Sequence, residues 1–363
     1  MQRHSDGSVV VSATDLVGFL ECDHLATLEL GKVQGLWDKP HHRKDPELEL
    51  LRERGIEHER RFLERRRAAG QTIIDLRSEP TTERSAAALE TAQAATLAAM
   101  QSGAEVIYQA TLFDGRWVGY ADFLLRVDRP SALGLWSYEV ADTKLARAVK
   151  GGALVQVCVY SDLLERLQGF APEHVHVVTG DGITHTERLD DYAAFYRSVK
   201  RRFEAEVFGD ATTIARDAAT AGTYPDPVDH CRVCTWYPVC ADRRRADDHL
   251  SIVAGMSRAA TERLIEADVP TRRALAILPP ARKVESVNPR TLTRLREQAR
   301  VQVAGEDTHE LLYELIEPDP EQRDQGLARL PEPSPLDVFF DIEADPWAIE
   351  DDLGFGLEYL LGL

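Results

Sequence analysis

The stretch VIYQATLFDGRWVGYADFLLRVDRPSALGLWSYEVADTK, residues 106–144, decides the fold. Asp114-Gly115 and Pro130 divide it into three runs that are rich in β-branched and aromatic residues. Such runs, bounded by turn residues, are typical of neighbouring antiparallel strands. The stretch therefore predicts a β-meander near the middle of the chain. The three runs are 106–113, 115–127 and 136–144.

Helical periodicity is present on both sides of this meander. Leu16, Phe19 and Leu20 follow helical spacing after a capping residue, Ser12 or Thr14. The alternation of helices and strands predicts an α/β (α+β) fold, in which helices flank a mixed sheet. The predicted helices are 13–30, 45–69, 83–101, 153–167 and 188–208, with two or three more in 250–300, and a further strand at 174–180 ends at Gly180-Asp181-Gly182.

The length and composition restrict the class of protein. A chain of 363 residues, 44% of them hydrophobic, is expected to form two or three units with a substantial core. No apolar run is long enough to span a membrane, and the first residues lack the apolar region of a signal peptide. We therefore expect a cytoplasmic protein with no membrane partner, whose five cysteines do not form disulfides.

The net charge of −18 is unevenly distributed. Residues 301–363 hold 17 acidic residues and two arginines, whereas residues 1–300 hold 41 Lys/Arg against 44 Asp/Glu. Basic clusters such as 65–67 and 243–245 lie in this nearly neutral part. They suit solvated helix faces and phosphate contacts equally, so the charge does not exclude nucleic acid as a partner.

Asp122 lies within the second predicted strand, and Asp142 and Lys144 stand at the end of the third. Asp142 and Lys144 share one face of a strand because side chains alternate, and Asp122 joins them if the two strands are neighbours. Two carboxylates can bind Mg²⁺ or Mn²⁺, and a lysine can stabilise charge that develops on a phosphate. Gln156 and Tyr160, four residues apart, share a face of the next helix. An ordinary surface ion pair and an exposed helix stripe are the simpler interpretation of either pair alone.

Four short motifs occur in an order that resembles the RecB branch of the PD-(D/E)xK nuclease superfamily. They are Gly55-Ile56-Glu57-His58, Gly119-Tyr120-Ala121-Asp122, Asp142-Thr143-Lys144 and Gln156-Val157-Cys158-Val159-Tyr160. The resemblance extends to RecB itself, AddB and the CRISPR-associated RecB-like exonucleases. It implies that the metal ligands are His58, Asp122 and Asp142, with the Thr143 carbonyl as a further one. It also implies that Lys144 is catalytic. Gln156 and Tyr160 would support the site and position DNA. Glu139 faces away from Asp142 on the same strand and is interpreted as structural.

Three cysteines, Cys231, Cys234 and Cys240, are closely spaced in a proline-marked loop. A fourth ligand is needed for a tetrahedral zinc site, and His230, His249 or a distant cysteine could provide it. The alternative is an iron–sulfur cluster held by four thiolates. In the RecB-like exonucleases that contain a 4Fe–4S cluster, one cysteine precedes the nuclease core and three follow it. The resemblance therefore implies Cys22 as the fourth ligand, although a proline often follows that cysteine in the family and Asp23 stands here.

The C-terminal third is expected to contain smaller units. A weak helix-hairpin-helix pattern, with Gly255 in the hairpin, predicts a helical subdomain that could contact phosphates. The run DVFFDIEADP resembles the first strand of an RNase H-like DEDD exonuclease domain, with Asp341 and Glu343 as its acidic pair. That domain needs more carboxylates, so we expect the pair to be catalytically incomplete here. The predicted units are 1–245 (nuclease core with the cluster cysteines), 246–300 (helical subdomain), 301–335 (acidic linker) and 336–363 (truncated RNase H-like start).

The resemblance implies a metal-dependent DNA nuclease, with a setting in DNA repair, recombination or defence. The alternative is a non-catalytic DNA-binding or scaffold protein, in which a cluster or a zinc ion holds the fold together. No G-x-x-x-x-G-K-[ST] loop is present in the sequence, so a helicase partner would be a separate chain.

Overall fold

A mixed eight-stranded sheet forms the centre of the protein, which is seen here as a computed structural model. The structure describes residues 1–4, 7–40, 45–77, 85–209, 223–315, 329–350 and 354–362. The strands are β1 (Gln2–Arg3), β2 (Val9–Ser12), β3 (Ile73–Asp75), β4 (Val106–Phe113), β5 (Trp117–Val127), β6 (Ser137–Thr143), β7 (His174–Val178), β8 (Thr184–Arg188), and a separate pair, β9 (Asp341–Glu350) and β10 (Gly354–Gly362). The α-helices are α1 (Ala13–Glu21), α2 (Asp23–Val33), α3 (Pro46–Ala68), α4 (Ala86–Gln101), α5 (Gly151–Gln168), α6 (Leu189–Phe208), α7 (Tyr237–Ala246), α8 (Arg258–Glu266), α9 (Arg272–Ala276) and α10 (Pro289–Thr308).

The predicted meander is confirmed as the antiparallel strands β4, β5 and β6. Phe123 in β5 stands opposite Tyr108 on one side and Ala141 on the other. β6 continues through α5 to β7, which lies parallel to it. A parallel pair requires a crossover of this kind, and the helix that provides it covers one face of the sheet.

Both faces of the sheet are covered. Tyr138 and Val140 of β6 pack into the larger core cluster with α1, α5 and α6. On the other face Phe62 and Leu63 of α3 pack against Phe123, whose ring meets that of Phe62 edge to face at 4.8 Å. The mixed α/β prediction is thereby confirmed at the level of architecture.

Two local predictions were wrong, and one strand was not predicted. The segment 13–30 is two helices, because Cys22 adopts an extended backbone (φ −160°, ψ 110°) that ends α1 and begins α2. The edge strand at 184–188, whose residues alternate between exposed and half-buried, was not predicted. The predicted linker from residue 301 begins later, since α10 continues through its first residues to Thr308.

The segment around 250–308 forms a helical unit with its own core. Leu250, Leu264, Leu275 and Leu295 are buried together there. Gly255 has a φ of +78°, the left-handed conformation expected of a hairpin glycine, and Ser257 caps α8 directly after it. No helix in the described ranges is long and apolar enough to cross a membrane.

Two helical glycines, one beside Trp37 and one in open space, provide a matched test of the packing of Trp37 against α2. A Cβ on Gly31 of α2 would lie 2.0 Å from the Trp37 ring, whose indole N–H donates to the Leu28 carbonyl at 2.9 Å. A Cβ on Gly55 of α3 would meet nothing within 4 Å. We expect Gly31→Ala to reduce the free energy of unfolding by about 1–3 kcal/mol, through overpacking. Gly55→Ala should be neutral or raise it by up to about 1 kcal/mol. Equal denaturation midpoints for the two variants would contradict this packing.

Candidate active site

The two predicted acidic residues meet across neighbouring strands. The β5–β6 register pairs Phe123 with Ala141, and one step further along it Asp122 stands opposite Asp142. Asp142 is only 1% exposed, whereas Asp122 is half-buried. Because cross-strand partners point to the same face, the two carboxylates lie side by side where β6 ends.

The residues that follow Asp142 hold both carboxylates in place. The Thr143 backbone N–H and hydroxyl donate to Oδ2 of Asp122 at 2.8 and 2.9 Å. The Lys144 ammonium forms an ion pair with Oδ2 of Asp142 and is about one-third exposed. The contacts of Thr143 in the structure therefore orient Asp122, and Lys144 reaches the site from its solvent side.

Gln156 and Tyr160 of α5 are brought to the same carboxylates. The Gln156 amide donates to Oδ1 of Asp142 at 3.3 Å and to the Tyr160 hydroxyl at 2.7 Å. The Tyr160 ring rests on Gly119 of β5, where a Cβ would lie 2.7 Å from ring atom Cδ1. The glycine of the Gly119–Asp122 motif thus has a packing reason, since only glycine leaves room for that ring.

His58 of α3 reaches the same end of the sheet from the opposite face. Its Nε2 donates to the Val178 carbonyl at 3.2 Å, and this carbonyl also accepts the Lys144 backbone N–H at 2.8 Å. Burial, with the nearby charges of Arg65 and Arg61, lowers the pKa of His58. The imidazole is neutral at pH 7, and with its proton on Nε2 the Nδ1 lone pair is available to a ligand.

A third carboxylate, Glu59, was missed by the sequence reasoning. It follows His58 directly, is half-buried, and accepts hydrogen bonds from Gln109 and Tyr108. Gln109 lies opposite Asp122 in the β4–β5 register and has a φ of +58°, a strained conformation for a non-glycine residue inside a strand. Backbone strain of this kind is concentrated at functional sites. An acidic residue beside the motif histidine was the only signal for Glu59 in the sequence.

The electrostatics of this group favour a bound cation. Burial, followed by the charge of Asp122, raises the pKa of Asp142 to about 7 despite the opposing effect of Lys144. Burial and the charge of Asp122 likewise raise the pKa of Glu59. Three carboxylates with one ammonium leave an excess of negative charge, and oxygen ligands of this type suit Mg²⁺ or Mn²⁺. The donor set therefore fits the divalent cation expected from the sequence.

The four predicted cluster cysteines line one small cavity. Cys22 comes from the break between α1 and α2, Cys231 from a 3₁₀ turn, Cys234 from the residues before α7 and Cys240 from α7 itself. The cavity is narrow, with a volume of about 10 Å³. Cys158, by contrast, lies on α5 and is buried in the main core. The structure thus brings Cys22 to the other three thiols across 209 positions of sequence.

The cysteine loop is also attached to α2 by contacts that need no metal. The Trp236 indole N–H donates to Glu29 at 2.9 Å, and Leu28 and Trp236 are buried against each other. Burial, then the neighbouring thiols, raises the pKa of Cys240 to about 12. Deprotonation of several thiols in this cavity requires a compensating positive charge, and a metal centre provides it. The thiol donors therefore suit either a 4Fe–4S cluster or Zn²⁺, and either occupant would require the four side chains to move to ligand spacing.

Neither group of side chains stands at ligand spacing as it is. Within the described part of the chain, no three His, Cys, Asp or Glu side chains converge closely enough to hold a metal ion. A bound cation at the acidic site would have to displace the Lys144 ammonium from Asp142. Asp341 and Glu343 are exposed on β9, away from any third described carboxylate at metal-binding spacing.

Comparison with known proteins finds no relative of the chain. No model of a known protein family matches the chain, and no curated protein has a significantly similar sequence. The interpretation of the site therefore depends on the residues themselves.

Proposed function

We propose that this chain is a metal-dependent DNA nuclease similar to the RecB branch of the PD-(D/E)xK superfamily. The proposal is carried by one observation: Asp122, Asp142 and Lys144 lie together where β6 ends, and Gln156 is hydrogen-bonded to Asp142. For a small acidic site next to a lysine, phosphodiester hydrolysis is the chemistry that uses every member of the set. Repair, recombination or defence is the biological setting that the resemblance suggests.

Each side chain has a separate task in this proposal. Asp122, Asp142 and His58 would hold Mg²⁺ or Mn²⁺, which when bound supplies Lewis-acid polarisation of the scissile phosphate and a lower pKa of the attacking water. Thr143 fixes Asp122, and Gln156 fixes Asp142, so both carboxylates are oriented before substrate arrives. Lys144, released from Asp142, would stabilise the negative charge that develops on the phosphate.

We further propose that Cys22, Cys231, Cys234 and Cys240 hold a 4Fe–4S cluster with a structural role. Their common cavity and the burial of Cys240 support this assignment. A cluster there would connect α2 with α7 and reinforce the contact between Trp236 and Glu29. Zn²⁺ is the alternative occupant, and metal analysis distinguishes the two.

The proposal predicts cleavage that depends on a divalent cation. Protein purified without oxygen should degrade end-labelled DNA, single- or double-stranded, with Mn²⁺ or Mg²⁺ and not with EDTA. Asp122→Asn should be inactive, because the amide removes the charge that a cation needs. DNA binding without cleavage under every cation condition would favour the non-catalytic alternative.

Glu59 is expected to tune the affinity of the site for its cation. Removing its charge by Glu59→Gln should raise the Mn²⁺ concentration for half-maximal cleavage roughly tenfold, the usual cost of losing a supporting residue. The rate at saturating Mn²⁺ should change much less, because Glu59 affects Asp122 and Asp142 through its charge. Glu57→Gln is the control, since Glu57 pairs with Arg60 and Arg61 on the outer side of the same helix. Equal Mn²⁺ dependence of both variants would contradict a role for Glu59.

A further inference from the structure

Arg244 lines the same cavity as the four cysteines. It lies four residues after Cys240 on α7, so the two side chains share one face of that helix. The residue is 5% exposed. Its neighbours Arg243 and Arg245 point elsewhere and pair with Asp247 and Asp242.

Among the described residues, no acidic side chain forms an ion pair with Arg244. Within the described residues its polar contact is with a neutral group, the Pro225 carbonyl, to which Nη1 donates at 2.7 Å. The Tyr237 ring lies 5.7 Å from its guanidinium carbon, and none of the described carboxylates lies within ion-pair distance. A buried arginine is rare unless it is paired, because removing the charge from water is costly. The four cysteines line the cavity with Arg244, and its charge acts to lower the pKa of Cys240.

We propose that Arg244 is the counter-charge of the four metal-bound thiolates. This inference rests on the proposed cluster and adds a residue to it. A cluster with four thiolate ligands carries net negative charge, and hydrogen bonds and nearby charge set both its stability and its potential. A guanidinium suits the task because it stays protonated when buried and presents several donors in a fixed plane.

The other charged groups near the cavity do not replace Arg244. Lys39 acts on Cys234, but it is more than one-third exposed and already paired with Glu29. Asp23 and Asp226 are acidic and oppose thiolate formation. Among the described residues, Arg244 is therefore the buried, positively charged side chain that lines this cavity.

Charge and hydrogen bonding at Arg244 can be separated by two substitutions. Arg244→Gln keeps a donor for the Pro225 carbonyl and removes the charge, whereas Arg244→Lys keeps the charge. Arg245→Gln removes an exposed arginine next to it on the same helix and serves as the control. All four proteins would be purified without oxygen, assayed for iron and sulfide, and followed for loss of the broad absorbance at about 400 nm with a chelator present.

We expect Arg244→Gln to lose its cluster roughly tenfold faster than wild type, since a charged hydrogen-bond partner is lost. Its midpoint potential should become more negative, because the reduced cluster carries one more negative charge and gains most from a nearby cation. Arg244→Lys and Arg245→Gln should stay close to wild type in the rate of cluster loss and in the midpoint potential. A potential that shifts equally in the Gln and Lys variants, or in neither, would overturn the role of Arg244 while leaving the cluster in place.

Failure of the cluster itself would be visible in wild type. A wild-type chain with one zinc and no iron overturns the 4Fe–4S assignment, and Arg244 is then tested by zinc release to the same chelator. Faster release from Arg244→Gln than from Arg244→Lys would support the counter-charge, and equal rates would overturn it. A wild-type chain with no metal at all would overturn both.

Discussion

Asp142→Asn is expected to lower metal-dependent DNA cleavage by at least about a thousandfold, while leaving the fold as stable as wild type or more so. The loss follows from the several kcal/mol that a bound cation contributes to phosphate hydrolysis. The stability follows from the surroundings of Asp142, which is fully buried beside Asp122. An amide keeps the shape and the bond with Gln156 and removes the repulsion.

The effect on stability should depend on pH in a defined direction. The pKa of Asp142 is raised from its ordinary value near 3.8 to about 7 in the fold, mainly by burial and then by Asp122. A carboxyl with a raised pKa favours the fold below its unfolded pKa, and this contribution is lost as the pH rises through the folded pKa. The gain in stability of Asp142→Asn should therefore grow between about pH 4 and pH 7 and then level off, in protein free of divalent cations.

Glu139 is the matched control on the same strand. It is also buried but on the opposite face, where it accepts the His174 backbone N–H and contacts His176 Nε2, each at 3.0 Å. Burial alone would raise the pKa of Glu139, but the bonds with His176 and His174 outweigh it and the pKa is lowered. Glu139→Gln should keep near-normal cleavage and lower the unfolding temperature by several degrees at pH 7, less so in acid. Loss of cleavage in Glu139→Gln, with cleavage retained in Asp142→Asn, would mean that the active site has been assigned to the wrong face of the sheet.

Cys22→Ala is expected to release the cluster iron and to lower the unfolding temperature by several degrees or more. Cys22 is the one proposed cluster ligand outside the 231–240 loop, and a metal centre bound through it would close a chain segment of more than 200 residues. Cross-links that close long segments stabilise a fold by a few kcal/mol. The fold should survive, because Trp236 and Glu29 hold the same elements together.

Cys158→Ala is the control for Cys22→Ala. The thiol of Cys158 is buried in the main core, so its removal should cost about 1 kcal/mol in packing and leave the iron content unchanged. Iron and sulfide per chain, with the absorbance at about 400 nm, are the measurements. Retention of a full cluster by Cys22→Ala would exclude Cys22 as a ligand.

The sequence predicted the elements that depend on periodicity and missed the features that depend on tertiary contacts. Alternation and turn residues were sufficient for the antiparallel order of β4, β5 and β6, and hence for the meeting of Asp122 and Asp142. The break at Cys22 was missed, because α1 and α2 carry apolar residues at compatible spacing. Its cause is tertiary, since the break turns Cys22 toward the cysteine loop.

The same distinction applies to the site. Asp142 and Lys144 were predictable from strand alternation, and Gln156 and Tyr160 from helical spacing. Glu59 was not, because its approach to Asp122 depends on how α3 packs on the sheet. Arg244 was not either, since a cluster of three arginines at 243–245 gives no indication of which member is buried.

Anomalous diffraction from crystals containing Mn²⁺ tests the central claim most directly. The account predicts an anomalous peak between Asp122 and Asp142, about 2.1–2.5 Å from a carboxylate oxygen of each, with the Lys144 ammonium moved off Asp142. The peak should be absent from Asp142→Asn crystals grown in the same way. A Mn²⁺ peak at another place, with none between these two carboxylates in the wild-type protein, would contradict the assignment of this site.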